Sequence, residues 1–323
     1  MTLLQSLLYM GGGMILLIGG AEALVRGAAA LALRFGITPL VVGLTVVAFG
    51  TSSPELMVSV KAAIGGNGPV ALGNVVGSNI ANLGLIVGVS ASLSPLAVDR
   101  RLLTRDMPVM IGSMLLLCAF LLNGVLGPTE GVILTCGIVL YTVWGITSSR
   151  RETKAARASA DELPTDVQDA LDAPTWRVVL NVVFVALGLA LLIIGAGWLV
   201  DGAVAAAQQL GVSEAVIGLT LVAIGTSLPE LATTIVAAIR GHGEIALGGA
   251  IGSNVFNVLG VIGPAAVAAP IASEGIEWSV LAIMLAMAVL TAFFLSTGGK
   301  TRRWEGAVLL AAYAGYLWWV VAG

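Results

Sequence analysis

One stretch of this chain is written twice. The segment GLTVVAFGTSSPEL beginning at Gly43 returns as GLTLVAIGTSLPEL at Gly218, and GNVVGSNIANLGLIVG at Gly73 returns as GGAIGSNVFNVLGVIG at Gly248. The offset is the same 175 residues in both cases, so the spacing inside the unit is preserved. About half of the positions from Gly43 to Gly88 match their counterparts, far above chance for unrelated segments. A fainter echo precedes them, where Leu24-Val25-Arg26-Gly27-Ala28 aligns with Leu199-Val200-Asp201-Gly202-Ala203. Whatever one copy folds into, the other must fold into as well.

The medium in which it folds follows from hydropathy. Of 323 residues, 58% are hydrophobic and only 10% are charged, where a soluble domain carries about 25%. The mean hydropathy is +1.02, and no soluble core of this size buries so much apolar surface. The 42 glycines suit membrane helices, which approach one another closely through small residues. A span needs about 20 apolar residues. Reading for such runs gives ten, at roughly 3–34, 38–65, 69–93, 106–123, 130–148, 175–209, 213–240, 244–269, 277–296 and 303–322. The first run continues past any signal-peptide length without a cleavage site and reads as a span.

Each copy of the repeat therefore holds five spans. An odd number makes the second copy enter the membrane from the opposite side. The expected fold class is an all-α membrane protein of ten transmembrane helices in two inverted-topology repeats of five. The first repeat occupies 1–148 and the second 175–323, joined by a hydrophilic cytoplasmic linker over 149–174. Inverted repeats of this kind belong to secondary transporters, whose substrates bind near the midplane where the repeats meet.

The basic residues set the orientation. With the N-terminus outside, cytoplasmic loops and span ends collect Arg26, Arg34, Arg100, Arg101, Arg105, Arg150, Arg151, Lys154, Arg157, Arg177, Arg240, Lys300, Arg302 and Arg303. Only Lys61 of the 15 basic residues falls on the other side. The positive-inside rule selects this topology, with both termini external. Short loops and the lack of an N-x-[ST] acceptor point to a prokaryotic plasma (inner) membrane.

Two glutamates fall within spans, Glu55 in the second and Glu230 in the seventh, at equivalent repeat positions. An ionisable group at mid-membrane costs about 3 kcal/mol on insertion scales and normally faces a functional protein interior. Two carboxylates held close together favour a cation between them. Thr51, Ser52 and Glu55 share a helical face, and Thr226, Ser227 and Glu230 repeat the arrangement. Ser78 and Asn82 are four apart on the neighbouring span, as are Ser253 and Asn257. Pro54 and Pro229 lack an amide hydrogen, which deprives the carbonyls of Gly50 and Gly225 of their usual helical partners. Carboxylate, amide, hydroxyl and carbonyl oxygens suit sodium or calcium, whereas transition metals favour Cys or His. Taken singly, such Ser, Thr and Asn residues ordinarily serve helix packing. Their duplication around two glutamates marks an ion site. Asn79 and Asn254 point about 100° away from Ser78 and Ser253 and are assigned to packing. Glu22 and Arg26, four apart, are expected to pair, and Asp201 suits either an ion entrance or a capping role.

The duplicated GTS(S/L)PE and GSN(I/V)(A/F)N motifs resemble the two α-repeats of the calcium/cation antiporter superfamily, specifically its sodium/calcium exchanger family of prokaryotic type. The resemblance spans the whole chain. It implies a core of the second, third, seventh and eighth helices, across which the long first and sixth helices slide. By motif position it makes Glu55 and Glu230 shared ligands of calcium and sodium, with hydroxyl or backbone oxygens from Thr51, Ser52, Thr226 and Ser227. It adds the carbonyls of Ala48 and Ala223, places Ser78 and Ser253 at outer sodium sites, and sets Asn82 and Asn257 near the centre. Some members, including potassium-dependent exchangers, have aspartate at the position of Asn257. Asparagine there argues against potassium co-transport and leaves a formal core charge of −2, matched by one calcium or two sodium ions.

The resulting expectation is a secondary active antiporter exchanging sodium for calcium by alternating access. Calcium and sodium are its transported substrates, membrane lipids surround it, and no cofactor, nucleic acid or obligate protein partner is expected. A proton-coupled calcium or other cation antiporter of the same fold is the alternative. An intramembrane enzyme built on Ser52 or Ser227 lacks a base, since the core spans hold no histidine and only Lys61 near a span end. A passive channel does not account for an inverted repeat with two enclosed glutamates. Cys118 and Cys136 lie in apolar runs without metal-binding spacing and read as buried small side chains. His242, in a Gly-His-Gly turn, reads as a loop residue.

Overall fold

The structure is a computed structural model and describes residues 1–159, 174–210, 225–274 and 276–322. It is an all-helical membrane protein. In chain order the helices are α1 (Leu3–Phe35), α2 (Pro39–Thr51), α3 (Ser53–Ile64), α4 (Gly68–Leu93), α5 (Leu102–Asn123), α6 (Pro128–Ser159), α7 (Thr175–Gln209), α8 (Leu228–Ile239), α9 (Gly243–Ala268), α10 (Trp278–Ser296) and α11 (Arg303–Ala322). Among the described residues seven helices are long and apolar enough to cross a membrane. An eighth span is added if the bent pair α2–α3 counts as one.

Several boundaries differ from expectation. The second apolar run is two helices bent by 47°. The break falls at Ser52, whose backbone (φ −82°, ψ 6°) leaves the helical region just before Pro54, where a missing N–H and the proline ring prevent the ladder from continuing. α5 begins at Leu102 and not near 106, through a wide turn over Leu102–Asp106. α6 runs on to Ser159, into the stretch assigned to a linker. The expected span over 213–240 is described only from residue 225. The protein also has a scrap of sheet, which a purely helical reading omits. Strand β1 (Val125–Leu126) pairs antiparallel with β2 (Ile271–Ala272), and Ala97 bridges Lys300. The two contacts are the same contact seen from each repeat, since 97 and 272 are related by 175, as are 125 and 300.

α1 and α7 lie against each other along their length on two glycine stripes with a seven-residue period. Gly13 and Gly20 of α1 face Gly195 and Gly188 of α7, while Gly27 lies against the Asn181 carbonyl and Gly202 against that of Ser6. A Cβ at Gly20 would come within 2.8 Å of the Gly188 carbonyl oxygen, and one at Gly195 within 2.9 Å of that of Gly13. Only glycine allows backbones so close, and van der Waals contact and main-chain proximity then replace a hydrophobic drive that lipid cannot supply.

The centre of the molecule is α9, whose span is entirely buried, with α4 largely so. α2 packs on α9, α3 on α4, and the C-terminal part of α9 on α3. The GTS and GSN motifs thus meet in the most enclosed part of the fold. Three of these segments carry wide, five-residue-period turns: Gly43–Val47, Asn82–Ile86 and Asn257–Val261. Such turns occur preferentially at functional sites, and the latter two begin at the asparagines singled out from the sequence.

Candidate functional site

The break at Ser52 directs its side chain inward, off the end of α2, and the same happens at Ser227 just before α8. Ser52 Oγ donates to Glu230 Oε1 at 3.1 Å, and Ser227 Oγ to Glu55 Oε1 at 3.4 Å. Each glutamate is therefore held by the serine of the opposite repeat. Both carboxyls are buried and close enough to interact electrostatically. Each keeps its second oxygen, Oε2, buried and without a hydrogen-bond partner. A buried polar oxygen left unbonded is costly, and the two provide strong, hard acceptors for a cation.

The flanking oxygens divide into those that reach the pair and those engaged elsewhere. Ser227 Oγ also contacts Ser78 Oγ at 3.3 Å, which brings α4 into the cluster. Thr226 lies beside Glu55, and Thr51 and Ser253 beside Glu230. The hydroxyls of Thr226 and Ser253 have no hydrogen-bond partner, whereas Thr51 Oγ1 donates to the Val47 carbonyl at 3.0 Å and to that of Ala48 at 3.4 Å. The Ala48 carbonyl also accepts the Ser52 N–H at 3.0 Å, so it closes a helical turn. Ala223 lies outside the described residues. Asn82 is buried with both amide atoms unpartnered, and Asn257 keeps its Oδ1 unpartnered. No group of three or more His, Cys, Asp or Glu that could hold a metal ion exists among the described residues. Two carboxylates with neutral oxygens around them suit a hard monovalent or divalent cation.

One residue of the cluster escaped the sequence reading. Asn74 donates its Nδ2 to the Glu55 carbonyl at 3.1 Å and to Ser59 Oγ at 2.9 Å, tying the first turn of α3 to α4. Its signal was present, for Asn74, Ser78 and Asn82 form one stripe at four-residue spacing. It was missed because its counterpart, Gly249, breaks the duplication. Asn79, assigned to packing, accepts Asn257 Nδ2 at 3.2 Å.

Away from the cluster, Glu22 pairs with Arg26, as expected, and also takes both arms of Arg240 at the end of α8. Arg240 Nε lies 2.9 Å from Glu22 Oε2 and its Nη2 2.9 Å from Oε1. Another buried carboxylate, Asp106, is held by Arg105 and by the Tyr141 hydroxyl at 3.1 Å. The Tyr141 bond links α5 to α6.

Known proteins share this architecture. A family-wide profile described as "Sodium/calcium exchanger protein" matches residues 5–147 and 180–322. CaxA of Alkalimonas amylolytica is 39% identical over 94% of this chain and 95% of its own length. The sodium/calcium exchanger MaX1 of Methanosarcina acetivorans is 34% identical over 94% and 95%, respectively. The solved structure of the sodium-calcium exchanger NCX_Mj soaked with 10 mM Na+ and zero Ca2+ has a TM-score of 0.84 and 31% identity, covering 98% of this chain and 99% of that one. The chain belongs to the sodium/calcium exchanger protein family and is a multi-pass, all-helical cation/calcium antiporter.

Proposed function

We propose that this antiporter exchanges sodium for calcium by alternating access, with both ions competing for the space between Glu55 and Glu230. The observation that carries the reading is the reciprocal hold of the two carboxyls. Each is fixed through one oxygen by the other repeat's serine and presents the second oxygen unbonded. Thr51, Ser52, Thr226, Ser227, Ser78, Ser253, Asn82, Asn257 and the carbonyls of Ala48 and Ala223 complete the ligand set. A formal charge of −2 is neutralised by one calcium or two sodium ions, which makes occupancy by one exclude the other. An unloaded site resists the switch, since it would carry two uncompensated carboxylates past apolar gating surfaces.

The scaffold of this reading is ten transmembrane helices in two inverted repeats of five, 1–148 and 175–323, with 149–174 between them. Reciprocal contacts related by the 175-residue offset support it. The β1–β2 pair matches the Ala97–Lys300 bridge, and Gly131 meets Gly263 as Gly306 meets Gly88. The protein sits in the plasma (inner) membrane of a prokaryote, with both termini and Lys61 external and Arg240 cytoplasmic. α1 covers α8 on the Arg240 side while α7 barely touches α3, so the conformation is closed towards the cytoplasm. It acts without a cofactor or an obligate protein partner.

Radiolabelled calcium uptake into sodium-loaded liposomes containing the purified protein tests this. Uptake is expected to follow the outward sodium gradient and to vanish in Glu55→Gln and Glu230→Gln while both variants stay folded. Sodium-independent uptake that acidifies or alkalinises the lumen would instead assign proton coupling, and full transport by Glu55→Gln would remove the glutamates from the site.

A further inference from the structure

Two asparagines and a methionine form a line whose polarity can run only one way. Met284 Sδ on α10 is an acceptor without a hydrogen to give. Asn79 on α4 turns its Nδ2 towards that sulfur at 3.7 Å. Its other amide atom, Oδ1, is then turned away from the sulfur and accepts Asn257 Nδ2 on α9 at 3.2 Å. With its nitrogen so engaged, Asn257 presents Oδ1, buried and unpartnered. All three side chains are fully buried, so water does not compete for these bonds.

The repeat supplies an internal control. The counterparts of Asn79, Asn257 and Met284 are Asn254, Asn82 and Val109. Valine offers no acceptor, and Asn254 turns its Nδ2 instead to the Ala250 carbonyl of its own helix at 2.8 Å. Asn82 is left with neither amide atom bonded, and Asn254 Oδ1 is likewise free. The same pair of asparagines therefore forms a bond only where a sulfur acceptor stands behind it.

We propose that Asn79 is a positioning residue for ion binding: oriented by Met284, it holds the Asn257 carboxamide so that oxygen, not nitrogen, faces the cation. The inference rests on the reading of Asn257 as a ligand. An amide can turn over with little change of shape, and the reversed form would aim a partial positive charge at the ion. Asn79 prevents that reversal. In the other half the Asn82 amide is free to turn, so the two asparagines differ in their readiness to ligate.

The test measures the half-saturating calcium concentration in sodium-loaded proteoliposomes for Asn79→Leu, Asn257→Asp and the double variant. Losing one orienting hydrogen bond is expected to raise the value about three- to tenfold in Asn79→Leu. A carboxylate presents oxygen in either orientation, so Asn79→Leu should cause no loss of affinity on an Asn257→Asp background. An equal loss in both backgrounds would show that Asn79 serves packing alone, and no loss in either would remove it from the site. Met284→Leu, which preserves volume, is expected to act in the same direction by about twofold and keeps the test available if Asn79→Leu does not fold. Asn257→Ala separates the two readings. If it leaves calcium and sodium half-saturation unchanged while Glu55→Gln abolishes transport, Asn257 is not a ligand and the proposal falls while the glutamate site stands.

Discussion

The two repeats place matching residues in unlike surroundings. Val58 on α3 and Thr233 on α8 are equivalent by the 175-residue offset, yet Val58 is 38% exposed and Thr233 only 1%. The difference comes from the α1–α7 pair. α1 lies over α8, and its Glu22 grips Arg240 at the end of that helix. α7 makes no comparable cover for α3, and the positions that would carry the matching ion pair are Gly197 and Gly65. Two copies of one sequence unit are thus held in an asymmetric arrangement by a unit that leans to one side. Under the alternating access proposed above, exchanging which side is covered requires the α1–α7 pair to move relative to the helices that carry the glutamates, with the glutamate cluster staying where it is.

The largest effect is expected from prying that pair apart. Gly20→Ala and Gly188→Ala would press a methyl group to within 2.8 Å and 2.6 Å of the partner's backbone. Overpacking of this kind costs about 1–3 kcal/mol. Both variants should lower the thermal midpoint in detergent and depress exchange. Gly19→Ala, whose Cβ meets nothing within 4 Å, should do neither. If Gly19→Ala and Gly20→Ala behave alike, the close approach is not what couples α1 to α7.

A smaller effect follows from opening the Glu22–Arg240 pair. It is partly solvent-exposed, and such pairs are worth about 0–1 kcal/mol, so its loss shifts the balance between the two covered states by up to about fivefold. With Cys118 and Cys136 replaced by alanine, a cysteine at position 233 should be labelled faster by a water-soluble maleimide in Arg240→Gln, and one at position 58 more slowly. Glu22→Gln combined with Arg240→Gln should add nothing further. Unchanged labelling would mean that packing alone holds α1 over α8.

The smallest and sharpest effect comes from moving the pair to the other side. Gly65→Arg with Gly197→Glu installs it at the equivalent positions, and neither added Cβ comes closer than 3.2 Å to a neighbour. Position 58 should then become modestly less reactive, by about twofold, with the two single variants inactive in this respect. An identical response from a single variant would point to bulk and not to pairing.

The duplicated motifs made much of the site legible in advance. Glu55, Glu230, Ser52, Ser227 and Ser78 come together because a carboxylate in a span needs partners, and the offset identifies which residues have equals in the other copy. The break of the second span was half-visible. Pro54 announced a disturbed ladder, but the 47° bend and the inward turn of Ser52 depend on what packs around it. The same limit applies to the ends of α5 and α6, where hydropathy marks the lipid-facing stretch and not the hydrogen-bonded helix.

The sequence by itself determined the solvent, the helical class, the repeat and the carboxylates, because these follow from composition, spacing and the cost of charge in lipid. Only the tertiary structure decided which serine holds which glutamate, which way round the Asn257 amide lies, and which repeat is covered. Those outcomes depend on atoms distant in the chain. Asn79 and Asn254 carry the same local signal, and Val58 and Thr233 occupy equivalent positions; what separates the members of each pair is Met284 across the helix interface and the lean of α1.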